Sequence, residues 1–262
     1  MIPEAAITHW RNVAPWPQDA QVEQDLILSQ ALTEIFEDPL LSKSLLLRGG
    51  TALHKLLVKA PYRYSEDIDL VQIKPEPIGL VMSAIRARLD DILGKPRREN
   101  NPDNVTLRYR MESEIAPVTP MRLKIEINTR EHFMVYEPEA RLFAVQSPWF
   151  TGRASVRTYA LDELLGTKLR ALYQRRKGRD LFDLWVGLEK MGAKPKRVAD
   201  AFRKYLEKSG HKITRRQFEL NLEEKIETSQ FNEDLRPLLA AGIPYDAAKA
   251  ARIVTERLLV HL

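Results

Sequence analysis

The segment "RYSEDIDLV", residues 63–71, holds Asp67 and Asp69 two apart among aliphatic neighbours. In an extended strand, residues two apart share a face. Both carboxylates then project together, while Ile68 and Leu70 turn toward the core. Adjacent carboxylates repel each other, and burying them unpaired is costly. A divalent cation relieves both problems, because Mg2+ takes one or two carboxylates together with substrate phosphates. A third acid stands in "LKIEIN", where Glu126 shares a face with Lys124 and Asn128, and Ile125 and Ile127 point inward. If the two strands pair, Glu126 completes a three-carboxylate metal site. Acids alternating with aliphatics also mark any half-exposed strand, so this pattern alone leaves both readings open.

Upstream, "LLLRGGTAL" ends an apolar run at Gly49 and Gly50 before a helical pattern begins. A strand that stops at two glycines lets the backbone approach a ligand closely, and the amides opening the next helix suit a triphosphate. Thr51 is placed to cap that helix or to bond a phosphate oxygen. Two glycines before a helix are usually just a turn. With two co-facial aspartates sixteen intervening residues later, they describe a nucleotide held between a phosphate seat and a divalent ion. Arg63 and Ser65 precede the aspartates. Arg63 can hold a phosphate and Ser65 can touch nucleotide or be modified, yet both also suit a turn into the strand. The five histidines show no ligand spacing, and His54 is expected on a helix surface.

The elements that must position these residues follow from periodicity. "DAQVEQDLILSQALTEIFED" has helical spacing, with Val22, Leu26, Ile27, Leu32, Ile35 and Phe36 apolar. "SLLLRGG" reads as a buried strand, "TALHKLLVKA" as a helix closed by Pro61, and "DIDLVQI" as a strand. "IGLVMSAIRARLDDIL" is a helix ending near Gly94, and "NVTLRYRM" and "MRLKIEINT" are two more strands. Beyond Pro148, "LDELLGTKLRALYQRR", "RDLFDLWVGLEKM", "KRVADAFRKYLEK" and "YDAAKAARIVTERLLVHL" all read as helices. The expected fold class is α+β, with a mixed-sheet half over residues 1–150 and a helical half over 151–262.

The 262 residues suffice for one large or two modest domains. No apolar run is long enough for a membrane span, and the N-terminus lacks the pattern of a signal peptide. Cysteine is absent, which fits a cytoplasmic setting. The net charge is only +5, but Lys168–Arg216 holds sixteen Lys or Arg against five Asp or Glu, a balance of +11 that leaves −6 for the rest. Such concentration favours a polyanionic partner, though a solvated helical surface carries the same pattern. Within it, Arg175, Arg176, Lys177 and Arg179 are candidates for phosphate contacts.

Leu161, Leu164, Leu165 and Leu172 make one helical stripe, and Lys168 falls inside it. A lysine there must reach out to water or meet a buried anion. Asp180 stands where the next helix can begin and suits a cap. Asp183 points away from the stripe Leu181, Leu184, Trp185 and Leu188, which suggests exposure.

Strand, Gly-Gly-Thr, helix and then "SEDIDL" resemble the core of the nucleotidyltransferase superfamily that includes DNA polymerase beta. More closely, "RGGTALHKL", "YRYSEDIDL", "KIEIN" and "LLGTKLRALYQRRKGRDLFDL" together resemble the AbiEii/AbiGii toxin family of bacterial toxin–antitoxin systems. These motifs span residues 48–184 in the family's order. The stretch between Gly50 and Asp67 is slightly longer than the family pattern, so an extended connecting helix is expected. The resemblance implies a metal-dependent nucleotidyltransferase that uses an NTP with Mg2+ or Mn2+. It implies metal binding by Asp67, Asp69 and Glu126, and nucleotide binding by Gly49, Gly50, Thr51, Arg63 and Ser65. It also implies that Lys168 neutralises phosphate charge, with one or both of Asp180 and Asp183 nearby. The implied acceptor is RNA, such as the 3′ end of tRNA, and the implied protein partner is a cognate antitoxin. A small molecule or protein hydroxyl as acceptor, or a binding module without turnover, are the competing expectations.

Overall fold

The computed structural model describes residues 2–262. They form two compact units, one comprising the chain up to Met134 with Pro138–Tyr159, the other Val135–Glu137 with Ala160–Leu262. Among the described residues, no helix is long and apolar enough to cross a membrane.

The first unit runs α1 (Glu4–Trp10), α2 (Asp19–Glu37), α3 (Pro39–Ser44), β1 (Leu45–Arg48) and α4 (Gly49–Ala52). It continues through β2 (Asp67–Gln72), α5 (Gly79–Leu93), β3 (Arg97–Asn100), β4 (Asn104–Glu112), β5 (Pro120–Asn128), β6 (Glu139–Gln146) and β7 (Thr151–Thr158). The strands form one mixed sheet in the order β3-β4-β5-β2-β1-β7-β6, with β2 parallel to β5, β1 parallel to β7, and the other pairs antiparallel. Alternation sends Ile68, Leu70, Leu107, Leu123, Ile125 and Ile127 into the core. Helices α2 and α5 pack against the sheet and each other, and the Tyr109 hydroxyl of β4 donates to Asp90 of α5 at 3.1 Å. Asp67, Asp69 and Glu126 turn the other way.

Helix α2 is buried on most sides, including polar positions that periodicity cannot anticipate. Its consecutive residues Glu23, Gln24 and Asp25 each bind a different segment. Glu23 accepts from the Glu114 amide, and the Gln24 amide donates to the Arg122 carbonyl at 2.8 Å. Asp25 accepts from the indoles of Trp10 and Trp16, at 2.8 and 2.9 Å, and pairs with Lys55.

Three expectations need correction here. The helix after the glycines is not extended: α4 passes into a π-helical turn, Leu53–Leu57, that stops short of Pro61, and an irregular segment leads to β2. His54 is buried in that turn rather than on a helix surface. "TGRASVRT" pairs as β7 with β1 and β6, so the units divide at Tyr159/Ala160 rather than after residue 150. Glycine and arginine obscured this strand's alternation, but Ala154, Val156 and Thr158 are buried on one face.

The second unit comprises α6 (Leu161–Gln174), α7 (Gly178–Lys190), α8 (Pro195–Lys208), α9 (Arg215–Ile226), α10 (Ser229–Glu233) and α11 (Ala247–Arg257). Leu165, Leu169, Leu184, Phe202, Phe218 and Val254 belong to its apolar core. Close packing of α6 on α8 needs Gly166, where a Cβ would come within 2.7 Å of the Ala201 Cβ. Glu163, fully buried, accepts from the Val135 and Tyr136 amides and from the Tyr205 hydroxyl, each at 2.9 Å. That carboxylate ties residues 135–137 to the helices.

Lys225 of α9 donates to the Leu172 and Tyr173 carbonyls at the end of α6, completing groups a helix terminus leaves unpaired. Burial, and next the Arg176 guanidinium, pull its ammonium down to about 8 from the usual 10.5. Between these values the unfolded chain binds more protons, so this lysine's contribution makes stability rise with pH and is lost as pH falls through about 8. Denaturant unfolding from pH 8 to 10.5 is therefore expected to show the wild type gaining stability relative to Lys225→Met; parallel profiles would refute this.

Candidate active site

Strand register builds the site. Asp69 lies between Arg48 on β1 and Glu126 on β5, and Asp67 lies beside Lys124. Asp67, Asp69 and Glu126 thus share one face, as the alternation of their strands requires. Lys124 Nζ sits 3.0 Å from Asp67 and 3.6 Å from Glu126. Burial chiefly, and then Asp69, raise the Asp67 pKa above the carboxylate norm, with Lys124 pulling against them. Burial opposes the Lys124 charge, but Asp67, Asp69 and Glu126 outweigh it and lift its pKa.

The glycine turn lies directly against these acids. Gly49 adopts φ +76°, the left-handed region that favours glycine, and a Cβ there would come within 2.3 Å of Asp69 Oδ2. At Gly50 a Cβ would meet Arg63 Nη2 at 2.4 Å and Ser65 Oγ at 3.0 Å. Thr51 does not cap the helix, which begins at Gly49 with Arg48 as its N-cap. Its hydroxyl instead bonds Ser65 Oγ at 2.9 Å and the Asp67 carbonyl, tying the turn to the start of β2. Arg63 is buried and donates to the Tyr64 carbonyl at 2.9 Å. The sequence-predicted residues Gly49, Gly50, Thr51, Arg63, Ser65, Asp67, Asp69 and Glu126 therefore all lie within one part of the first unit.

The donor set suits a hard cation. A lysine ammonium already rests between Asp67 and Glu126, so this face accepts positive charge. Among the described residues, no three Asp, Glu or His side chains converge as a complete ligand set. A divalent ion held by these acids would need further ligands from substrate phosphates and water, as Mg2+ commonly takes.

In the helical unit, Lys168 keeps its place in the apolar stripe and meets buried anions. Its ammonium lies 3.1 Å from Asp180 and 2.9 Å from Asp183, both fully buried. Asp180 is in the first turn of α7 rather than at its cap, and it accepts two bonds from Arg175, at 2.7 and 2.8 Å. Burial raises the Asp180 pKa, but Lys168 and Arg175 outweigh it and hold it below the norm. Asp183 is not exposed: an ion pair, which hydrophobic periodicity ignores, draws it inward. The basic run is also largely paired. Arg175 binds Asp180, Arg176 meets Glu224, and Lys177 and Arg179 meet Asp234 at 3.0 and 3.9 Å.

Sequence reasoning missed Arg48 and Glu131, which pair at 2.6 Å beside Asp69. Arg48 was visible within the glycine motif. Glu131 follows β5 in a turn whose amides Arg130 and Glu131 donate to Asn128 Oδ1, so the only signal was asparagine turn chemistry.

The fold is similar to MenT4, a nucleotidyltransferase toxin from Mycobacterium tuberculosis H37Rv, at TM-score 0.64 and 16% identity, covering 98% of this chain and 90% of that one. An antigenic nucleotidyltransferase-like protein from Paracoccidioides brasiliensis aligns at TM-score 0.37 and 15% identity, over 70% of this chain and 88% of that one. No curated protein sequence matches. A mixed seven-strand sheet followed by a helical unit matches nucleotidyltransferase structures in fold. The family model for "Nucleotidyl transferase AbiEii toxin, Type IV TA system" matches residues 30–252, and the chain belongs to that family. As a toxin of such a system it implies an NTP substrate and a cognate antitoxin.

The turn gives a direct test. Gly49→Ala forces a left-handed backbone onto alanine, at about 1–2 kcal/mol, and drives a methyl into Asp69. Nucleotide transfer is expected to fall at least about tenfold, measured beside an unfolding curve. Wild-type transfer would show that the turn plays no part in the site.

Proposed function

We propose that this chain transfers a nucleoside monophosphate from an NTP to a hydroxyl at the 3′ end of RNA, with tRNA as the leading acceptor, and that it acts in the cytoplasm. One observation carries the reading: Asp67 and Asp69 share a face, with the Gly49 turn packed on the Asp69 carboxylate. Asp67 and Asp69, with Glu126 beside them, would hold the divalent ions. Such ions, when bound, neutralise phosphate charge and lower the pKa of an attacking hydroxyl.

The chain's own groups do the positioning. The turn of Gly49, Gly50 and Thr51 packs directly against Asp69, Arg63 and Ser65, and its backbone amides would meet phosphate oxygens beside the carboxylates. Lys124 offsets the negative charge of the acids until substrate and ions arrive. The acceptor oxygen forms a bond to the α-phosphorus, the bond to the departing pyrophosphate breaks, and the hydroxyl proton passes to solvent. Holding these groups in line, with charge stabilised where it develops, supplies most of the acceleration. The family resemblance extends a phosphate-neutralising part to Lys168, with Asp180 and Asp183 fixing its ammonium. A polyanionic acceptor suits a basic protein of pI about 9.3.

The test is to incubate the protein with Mg2+, each labelled NTP in turn, and total cellular RNA. Label is expected in a tRNA-sized band and absent with Asp69→Asn. Label appearing in protein or small-molecule fractions instead would overturn the RNA assignment.

A further inference from the structure

The sheet face that carries Asp67 and Asp69 continues across β5, β4 and β3, and its cations are oddly placed. Register sets Lys124 beside Asp67, Arg108 opposite Lys124, and Arg97 opposite Arg108. Two residues along β5, Arg122 stands directly opposite Arg110. Three cation–cation pairs therefore adjoin one another, and like charges directly opposite destabilise a sheet. The protein offsets part of this row itself. Lys124 meets Asp67 and Glu126, Arg108 meets Glu99 at 3.0 Å, and Arg97 reaches Glu99 at 3.5 Å. For the exposed pair Arg110 and Arg122, no carboxylate among the described residues comes within ion-pairing distance.

Both arginines border a groove of about 930 Å³, whose lining also includes Arg108, Glu112 and Glu66, the residue before Asp67. Two positions along a strand cover about 6.6 Å, so Arg122 stands roughly one nucleotide step from Lys124 and the acids. Two guanidinium groups side by side present planar forks of donors that match phosphate oxygens. A bound phosphate also removes the repulsion between them.

We propose that Arg110 and Arg122 clasp a backbone phosphate of the acceptor strand, one or two nucleotides back from the hydroxyl that reacts at Asp67 and Asp69. This rests on the RNA acceptor proposed above. An RNA strand is favoured over an acidic protein segment because the row of cations leads onto the reacting acids, where a 3′ end must arrive.

The test uses the full chain and a labelled single-stranded oligoribonucleotide with a 3′ hydroxyl, its binding measured across a salt series without turnover. The double variant Arg110→Gln/Arg122→Gln is expected to bind about ten- to a hundredfold more weakly. Its slope of log affinity against log salt should shrink by roughly 0.7, one phosphate's worth for a single strand. Its unfolding midpoint should hold or rise, since a like-charge pair has gone; a fall would contradict the premise. Arg110→Lys/Arg122→Lys should keep most of the slope. Unchanged affinity and slope would overturn the clasp, as would a wild type that does not bind the oligonucleotide. A double variant that keeps RNA binding but escapes the cognate antitoxin would also overturn it, and would assign the pair to an acidic protein. If label enters no RNA while the double variant still loses binding, the transfer reading fails and the acceptor-strand assignment falls with it, leaving the pair a phosphate contact alone.

Discussion

Asp69→Asn is expected to lower nucleotide transfer at least about a thousandfold, or roughly 4 kcal/mol of transition-state stabilisation, while leaving the fold intact. The side chain stands at the centre of the site, between Arg48 and Glu126 in register and against Gly49 in space. Asparagine keeps the shape but loses the charge on which a hard cation depends. Stability should hold, because Asp69 raises the Asp67 pKa and its charge is one of several crowded on this face. Transfer of labelled nucleotide and an unfolding curve give the two readouts, with Asp67→Asn as a parallel arm. Growth arrest on expression should vanish with either variant. Substantial transfer by Asp69→Asn would remove the metal-binding role from this pair.

The second large effect falls on stability. Asp25→Ala is expected to destabilise the first unit by about 3–5 kcal/mol, the range for breaking a buried ion pair from one side. Its carboxylate is fully buried and serves Trp10, Trp16 and Lys55 together. Alanine strands two indole donors and an ammonium, and leaves a void as well. Lys55 lies in the π-helical turn that continues from the Gly49–Ala52 segment, so the loss also loosens the turn packed against Asp69. Asp25→Asn, which retains an acceptor, should lose less. Denaturant unfolding of the three proteins checks the order; equal stability of Asp25→Ala and wild type would refute it.

The candidate site was legible because its chemistry repeats the backbone period. Asp67 with Asp69, and Glu126 with Lys124, declare their shared faces by spacing alone, and the strands then pair as that spacing demands. Gly49 was legible because few other residues accept a left-handed turn in close contact. Polar burial was not legible. Asp25 and Glu23 sit in a helix whose apolar stripe gives no hint that its other sides are covered, and Asp183 looks exposed until Lys168 is found beside it. Edge strands were equally hidden. "RREN" lacks any apolar alternation, yet it pairs as β3, because a strand at the rim needs only backbone hydrogen bonds. The basic run misled for a related reason: formal charge counts every arginine, whereas Arg175 and Arg176 already have acidic neighbours.

The clasp of Glu163 on residues 135–137 has a practical consequence for dissection. A fragment beginning at Ala160 would retain every helix of the second unit yet leave behind the two amides that solvate this carboxylate. Burial already raises the Glu163 pKa, and without those donors the acid would sit stranded in an apolar interior, held only by Tyr205. Severing the chain between its halves therefore tears the helical half as well. A three-residue tether supplied as a separate peptide is the smallest piece able to mend it.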